Sequence, residues 1–239
     1  MIQPDPRVPR HVAVVMDGNR RWAALRDLSP DEGWKQGEQR LYDLVRWAAQ
    51  GGVSVITAFA FSSENWHRSR SEVQRLLLQL SSAIKNRRDE LTERRIGVKF
   101  IGRRDRLGVI QRRAIEELER ATAYVHAATL HLIVAFDYGG LWDIARAGRN
   151  LARMVQQGQL DPDDIDEAVF SDQTSLGAWP PIDLLIRSGG EQRLSNFALW
   201  PLAYTELYFT SSLWPDFKVR EWQAALNSYA HRERRFGAD

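Results

Sequence analysis

Six short apolar runs, at residues 12–16, 53–61, 98–101, 130–136, 182–186 and 206–209, recur along the 239-residue chain, and the stretches between them carry helical period. This alternation constrains the fold more than any other feature. Continuous apolar runs suit strands buried on both faces, and strands separated by helices join as parallel neighbours through crossovers. Helical period is set by Leu41, Leu44, Val45 and Ala48, then by Val73, Leu76, Leu77, Leu80 and Ile84, with Ser69 and Glu72 placed as a capping box. It returns at Ile110, Ala114, Ile115 and Leu118, at Leu141, Ile144, Ala145, Leu151 and Val155, and across residues 219–229. The expected fold is one α/β domain over residues 1–239, a central, mostly parallel six-stranded sheet flanked by helices. A hydrophobic fraction of 44% is ample for its core.

In open sheets of this kind ligands bind outside the carboxyl ends of the strands. Four runs end in polar or glycine-rich stretches, at residues 17–22, 62–68, 138–140 and 187–195, which such a sheet would set along one rim. After Met16 come Asp17, Gly18, Asn19, Arg20, Arg21 and Trp22. Gly18 permits a tight turn whose N–H groups converge on an anion, Asp17 can hold Mg²⁺, and Arg20 and Arg21 can clamp phosphate oxygens. A solvated Asp-Gly turn is the alternative for this stretch alone. Ser62, Ser63, Glu64, Asn65, Trp66, His67 and Arg68 gather donors and acceptors suited to a reacting group that changes charge, or equally to a capped helix entry. Arg187, Arg193 and Ser195 flank the Gly189-Gly190 turn, a pattern that favours diphosphate. Glu206, in an aromatic and apolar stretch, needs a partner, either an arginine or a second Mg²⁺. The aspartates at 161, 163, 164 and 166 fit the first turn of a short helix better than a metal site.

Other chemistries are excluded by what the chain lacks. With no Cys, neither disulfides nor thiolate zinc sites can form. The 33 basic and 31 acidic residues are interspersed, which argues against a nucleic-acid partner. No glycine-rich dinucleotide or triphosphate motif follows a strand, and the five His lack metal-ligand spacing. Residues 1–10 are polar and proline-bearing, so a cytoplasmic enzyme is expected.

In chain order, Met16-Asp17-Gly18-Asn19, the stretch from Phe61 to Trp66, that from Asp137 to Gly140, that from Arg187 to Glu191, Ser195-Asn196-Phe197 and that from Trp214 to Phe217 resemble the motifs of the cis-prenyltransferase family. The resemblance runs from about residue 9 to residue 237. It implies condensation of isopentenyl diphosphate with an allylic diphosphate, each new double bond Z, with Mg²⁺, in a homodimer, around an apolar tunnel. Membrane contact would be at most peripheral, through the lipid product. On this resemblance Asp17 binds Mg²⁺ and assists departure of the allylic diphosphate, which Gly18, Asn19, Arg20 and Arg21 cradle beside Trp22. Asn65, with Ser62, Ser63, Glu64, Trp66 and Arg68 around it, positions isopentenyl diphosphate. Arg187, Arg193 and Ser195 clamp that substrate, and Glu206 is a further metal contact. Residues 1–8 form a flexible lead. The tail at 232–239 completes the neighbouring subunit's site through Arg235 and Gly237. Leu76, Leu77, Leu80 and Ile84 either wall the tunnel or simply pack the core.

The chain departs from the family pattern at Trp34, where a histidine is usual, and at Ser188, Asp137, Ala198 and Pro201. An indole offers one N–H donor, no titratable proton and more bulk than imidazole, so Trp34 is expected to line the allylic site. These departures keep open a specialised paralogue with a shorter or unusual product as an alternative to the usual long chain. A non-catalytic partner subunit is disfavoured, because Asp17, Asn65, Arg187 and Arg193 are all present.

Overall fold

A computed structural model describes residues 5–123 and 127–232; Arg235, Gly237 and the rest of residues 233–239 lie outside the described residues, as do residues 1–4. The strands are β1 (His11–Val15), β2 (Val55–Ser62), β3 (Ile96–Ile101), β4 (Leu130–Tyr138), β5 (Leu184–Arg187) and β6 (Glu206–Phe209). They form one sheet in the order β3-β4-β2-β1-β5-β6. Every pairing is parallel, a stricter arrangement than the mostly parallel sheet expected. All carboxyl ends therefore share one rim. From β1 the chain builds outward through β2 on one side and returns through β5 on the other, so the topological switch point lies between β1 and β5.

The helices are α1 (Asn19–Ala24), α2 (Pro30–Gln50), α3 (Arg70–Glu93), α4 (Val109–Ala121), α5 (Gly140–Gln156), α6 (Glu167–Asp172) and α7 (Val219–Ala230). One sheet face buries Val12, Val14, Ile56, Leu132 and Ile186 with residues of α2, α3, α4 and α7. The other buries Ala13, Ile133 and Leu185 under Phe197, Leu202 and coil. The described ends of the chain obey the same packing, since Val8 leans on the first core.

The starts of α2 and α3 show how far local chemistry decides a helix cap. At α2, Ser29 and Glu32 form a complete capping box behind Pro30: the Ser29 N–H donates to the Glu32 carboxylate at 2.9 Å and the Glu32 N–H to Ser29 Oγ at 3.3 Å. At α3 only half of the expected box forms. Ser69 Oγ accepts the Glu72 N–H, but the Glu72 carboxylate turns away to Arg68 at 3.0 Å and Arg20 at 3.5 Å. Two guanidinium groups outcompete one backbone N–H for a carboxylate.

The inward face of α5 also differs from its apolar pattern. Leu141 is 65% exposed and Asp143 only 2%. Burial of Asp143 is tolerated because its oxygens accept from Tyr138 Oη at 3.0 Å, Ser175 Oγ at 2.7 Å and Arg146 at 2.9 Å. The acidic stretch behaves as local capping: Asp161 and Asp166 accept from the Asp163 and Val169 N–H groups.

His11 sits fully buried at the foot of β1. Nδ1 lies 2.7 Å from the Pro180 carbonyl, which can only accept, so Nδ1 carries the proton and Nε2 accepts from Thr57 Oγ1 at 2.7 Å. Burial pushes its pKa from 6.5 down to about 4. The unfolded chain therefore takes up a proton over that window that the native chain refuses. Stability should be full above pH 6.5, fall as the pH drops toward 4, and lose about 3 kcal/mol in all. Denaturant unfolding across that range checks this, and His11→Asn should flatten the slope.

Candidate active site

The switch point holds a buried guanidinium. Arg187 ends β5, level with Val15 of β1, and is only 4% exposed. One Nη donates to Asp17 Oδ2 at 3.0 Å; the other donates to Ser195 Oγ at 2.8 Å and to the Arg193 carbonyl. Arg21 reaches the other Asp17 oxygen at 3.2 Å. Asp17 is thus held between two guanidinium groups while remaining part-exposed. Its backbone is fixed as well, because Ser188 Oγ and the Trp214 N–H both donate to the Asp17 carbonyl, at 2.8 and 3.0 Å.

The glycines serve close approach rather than anion binding. Gly189 and Gly190 both have positive φ, but their N–H groups donate to the Ser212 and Thr210 carbonyls, which ties this loop to the exit of β6. A Cβ on Gly189 would sit 2.6 Å from an Arg21 nitrogen and 3.1 Å from the Asp17 carbonyl. Gly18, at φ 109°, makes the turn into α1, as its sequence position suggests.

The β2 exit forms the facing wall. Asn65 Oδ1 accepts the Ser62 N–H at 3.0 Å, which leaves its NH₂ group as donor. Glu64 accepts from Asn196 Nδ2 at 2.7 Å, and Asn196 Oδ1 takes the Leu141 N–H at 2.9 Å, so this amide ties the β2 loop to α5. Beneath the loop, Arg106 lies over the Trp66 ring, 5.2 Å from its centroid, and donates to both oxygens of the fully buried Asp137. Asn196 lies in a motif the sequence offers but with no role assigned to it, and Arg106 does not stand out there as a site residue. An arginine in the turn after β3 and an aspartate closing β4 were the available signals.

These elements enclose a polar cleft of about 350 Å³, lined by Asp17, Gly18, Asn19, Arg20, Arg21, Trp34, Ser62, Asn65, Arg68, Arg187 and Ser195 among others. The remaining expected residues fall outside it. Trp22 points to Asp216, to which its indole N–H donates at 2.8 Å. Ser63, Glu64 and Trp66 support the loop from behind. The Arg193 side chain is exposed and pairs with Glu191; only its carbonyl takes part in the clamp. Glu206 pairs with Arg232 and stands opposite Leu184, three residues before Phe209, the β6 residue level with Arg187 and Val15. That places it on the order of 10 Å back along the strand, so within one chain Glu206 does not reach Asp17. Among the described residues no group of three acidic or histidine side chains could hold a metal.

An apolar cavity of about 160 Å³ adjoins the cleft, and Met16, Asn19, Trp34, Ala60 and Leu76 border both spaces. Leu76, Leu80 and Ile84 do line it, while Leu77 does not. Guanidinium groups at one end and aliphatic walls at the other suit a ligand with an anionic head and an apolar tail, and so define an α/β enzyme of amphiphilic substrates.

Comparison with known proteins narrows that class. A family model described as "Putative undecaprenyl diphosphate synthase" matches residues 15–237. A ditrans,polycis-undecaprenyl-diphosphate synthase of Xanthomonas oryzae pv. oryzae is 45% identical over 236 residues, covering 99% of this chain and 91% of that protein. The Escherichia coli K12 enzyme of the same name is 42% identical over 228 residues, covering 95% and 89%. The crystal structure of lavandulyl diphosphate synthase from Lavandula x intermedia in complex with dimethylallyl diphosphate superposes with a TM-score of 0.93 at 38% identity, covering 98% of this chain and all of that one. The chain belongs to the cis-prenyltransferase family and is a prenyltransferase.

Replacing Gly189 by Ala should cost about 1–2 kcal/mol of stability, because an L residue is strained at that φ. The larger effect should fall on activity, with at least a hundredfold loss, since the new methyl group displaces Arg21 and Asp17. Thermal unfolding and steady-state turnover, measured on one preparation, separate the two effects.

Proposed function

We propose that the chain condenses isopentenyl diphosphate with an allylic diphosphate to give a Z-prenyl diphosphate, with Mg²⁺ as cofactor. The observation that carries this reading is the pairing of Asp17 with the buried Arg187 at the switch point, beside an apolar cavity. Ionisation of an allylic diphosphate concentrates negative charge on the leaving group. Arg20, Arg21, Arg68 and Arg187 stand fixed around the cleft, so their stabilisation grows as that charge develops. The Asn65 NH₂ group and Ser195 Oγ supply neutral donors that orient the second substrate.

Asp17 fits a magnesium ion. One carboxylate with substrate oxygens and water is a usual Mg²⁺ set, and Asp17 lines the cleft with its carboxylate still part-exposed. Bound there, the ion would neutralise diphosphate charge. The working unit of this reading is a cytoplasmic homodimer, with residues 232–239 serving the neighbouring site and Glu206 contributing only across subunits.

A second reading concerns the product. A cavity of about 160 Å³ matches the space that accommodates a benzene-sized guest, roughly one or two isoprene units rather than a long polyprenyl chain. Trp34, 8% exposed, stands at the junction of cleft and cavity and reduces that space. Both observations favour a short product, the class to which the lavandulyl enzyme belongs by name.

Asp17→Ala should lower turnover by at least a hundredfold in a protein that still folds but unfolds at a lower temperature, because the buried Arg187 guanidinium loses its carboxylate partner. A variant that keeps more than about a tenth of the wild-type rate would remove Asp17 from the chemistry. Trp34→His should shift primer preference or product length, assayed with dimethylallyl, geranyl and farnesyl diphosphates in turn. Identical product profiles would leave Trp34 a packing residue.

A further inference from the structure

The apolar cavity has a polar interruption that neither the reaction nor the packing requires. Its walls are aliphatic and aromatic, from Leu41, Leu76, Leu80, Phe61 and Val134, yet Glu38 of α2 and Gln79 of α3 also line it. The two side chains lie on either side of the seam between the helices, close enough for the Gln79 amide to favour the charged form of Glu38. Arg87 stands behind them, with Nε 3.8 Å from the Glu38 carboxylate, a donated bond to Glu90 at 3.0 Å and its guanidinium over the Tyr42 ring at 4.6 Å. Burial raises the Glu38 pKa against the pull of Arg87, the mark of a carboxylate that has lost part of its water. A helix face turned toward hydrocarbon normally carries none of this, because stripping a polar group of its partners costs more than its packing returns.

Position along the cavity gives the pair a role. Trp34 borders both cleft and cavity, and Glu38 follows it about one helical turn, roughly 6 Å, further along α2. The outer side of Glu38 and Gln79 opens onto a solvent-facing groove between α2 and α3, shared with Lys35, Arg75 and Arg87. A tail growing past Trp34 along the α2 and α3 side of the cavity meets a carboxylate and an amide that also face the outer groove.

We propose that Glu38 and Gln79 are specificity-determining residues, a polar stop that sets the length of hydrocarbon the cavity accepts. A tail shorter than the stop lies wholly against apolar wall. A longer one must strip the carboxylate of Gln79 or of groove water, and gains nothing from its added methylenes. This role deepens the prenyl-transfer reading above and presupposes an anion-headed, apolar-tailed ligand.

The test is equilibrium binding of unreactive saturated alkyl diphosphates matching the isopentyl, geranyl, farnesyl and geranylgeranyl lengths. The full chain would be compared with Glu38→Gln, Glu38→Ala, Gln79→Leu and the Glu38→Ala/Gln79→Leu double variant. Wild type should tighten with length only up to the stop and then level off. The double variant should go on tightening, by up to about fourfold per buried methylene. Glu38→Gln keeps volume and hydrogen bonding and should retain the wild-type limit, which a merely structural role would not predict. Gln79→Leu removes one partner without opening a void, and gives the answer should the double variant fail to fold. In a separate assay with dimethylallyl diphosphate and isopentenyl diphosphate in place of the saturated analogues, the double variant should yield products at least one isoprene unit longer. Identical length dependence in wild type and in folded variants would overturn the proposal, even if both make product. A limit that vanishes in the variant while no chain forms any product would uphold the stop and defeat the prenyl-transfer reading instead.

Discussion

The contact between Arg187 and Asp17 organises the site. A guanidinium only 4% exposed would be prohibitive alone, and it is tolerated because Asp17, Ser195 and the Arg193 carbonyl take its N–H groups in different directions. Asp17 comes from the β1 exit, and Ser195 and Arg193 from one segment beyond the β5 exit. The ion pair therefore fixes where the β1 exit, the β5 exit and the segment from Arg193 to Ser195 stand relative to one another. Ser188 and Trp214 then hold the Asp17 carbonyl from the other side. What faces the cleft is a carboxylate with its position settled before any ligand arrives, which is the preorganisation that charge-developing chemistry needs.

The two sheet faces divide the remaining work. Long helices cover one of them, and the space between α2, α3 and the sheet is incompletely filled, leaving the apolar cavity. The other face is closed by α5 and by coil anchored through the buried Asp143. Support for the substrate loops crosses between these halves. Asn196 joins the β2 exit to α5, and Arg106 bridges the buried Asp137 to the underside of Trp66. Polar groups that contact no substrate thus determine how rigidly the contacting ones stand.

Much of this was legible from residue order. Apolar runs marked all six strands because strands buried on both faces must be apolar throughout, and the rim motifs followed because parallel strands present their exits together. The misreadings share one physical origin. The capping role of Glu72 and the anion-facing role of the Gly189-Gly190 turn were read from local spacing, while the groups that take them are guanidinium groups of Arg68 and Arg20 and the distant carbonyls of Thr210 and Ser212. A carboxylate takes whichever cation the tertiary fold delivers, and nothing in its own neighbourhood reports which one that is. The Ser29 and Glu32 box, by contrast, is local and could have been read directly.

The four arginines around the cleft have a consequence for the protein at rest. Arg20, Arg21, Arg68 and Arg187 line one small volume, with Asp17 and Glu72 as their nearby acids. Like charges held this close repel, and the folded state carries that repulsion whenever the cleft lacks an anion. On the function proposed above, a diphosphate bound there would act as a folding ligand as well as a reactant, stabilising the native chain in proportion to the logarithm of its concentration. The durability of the protein would then be coupled to the supply of its precursors: plentiful metabolite would protect the catalyst, and scarcity would expose it to turnover.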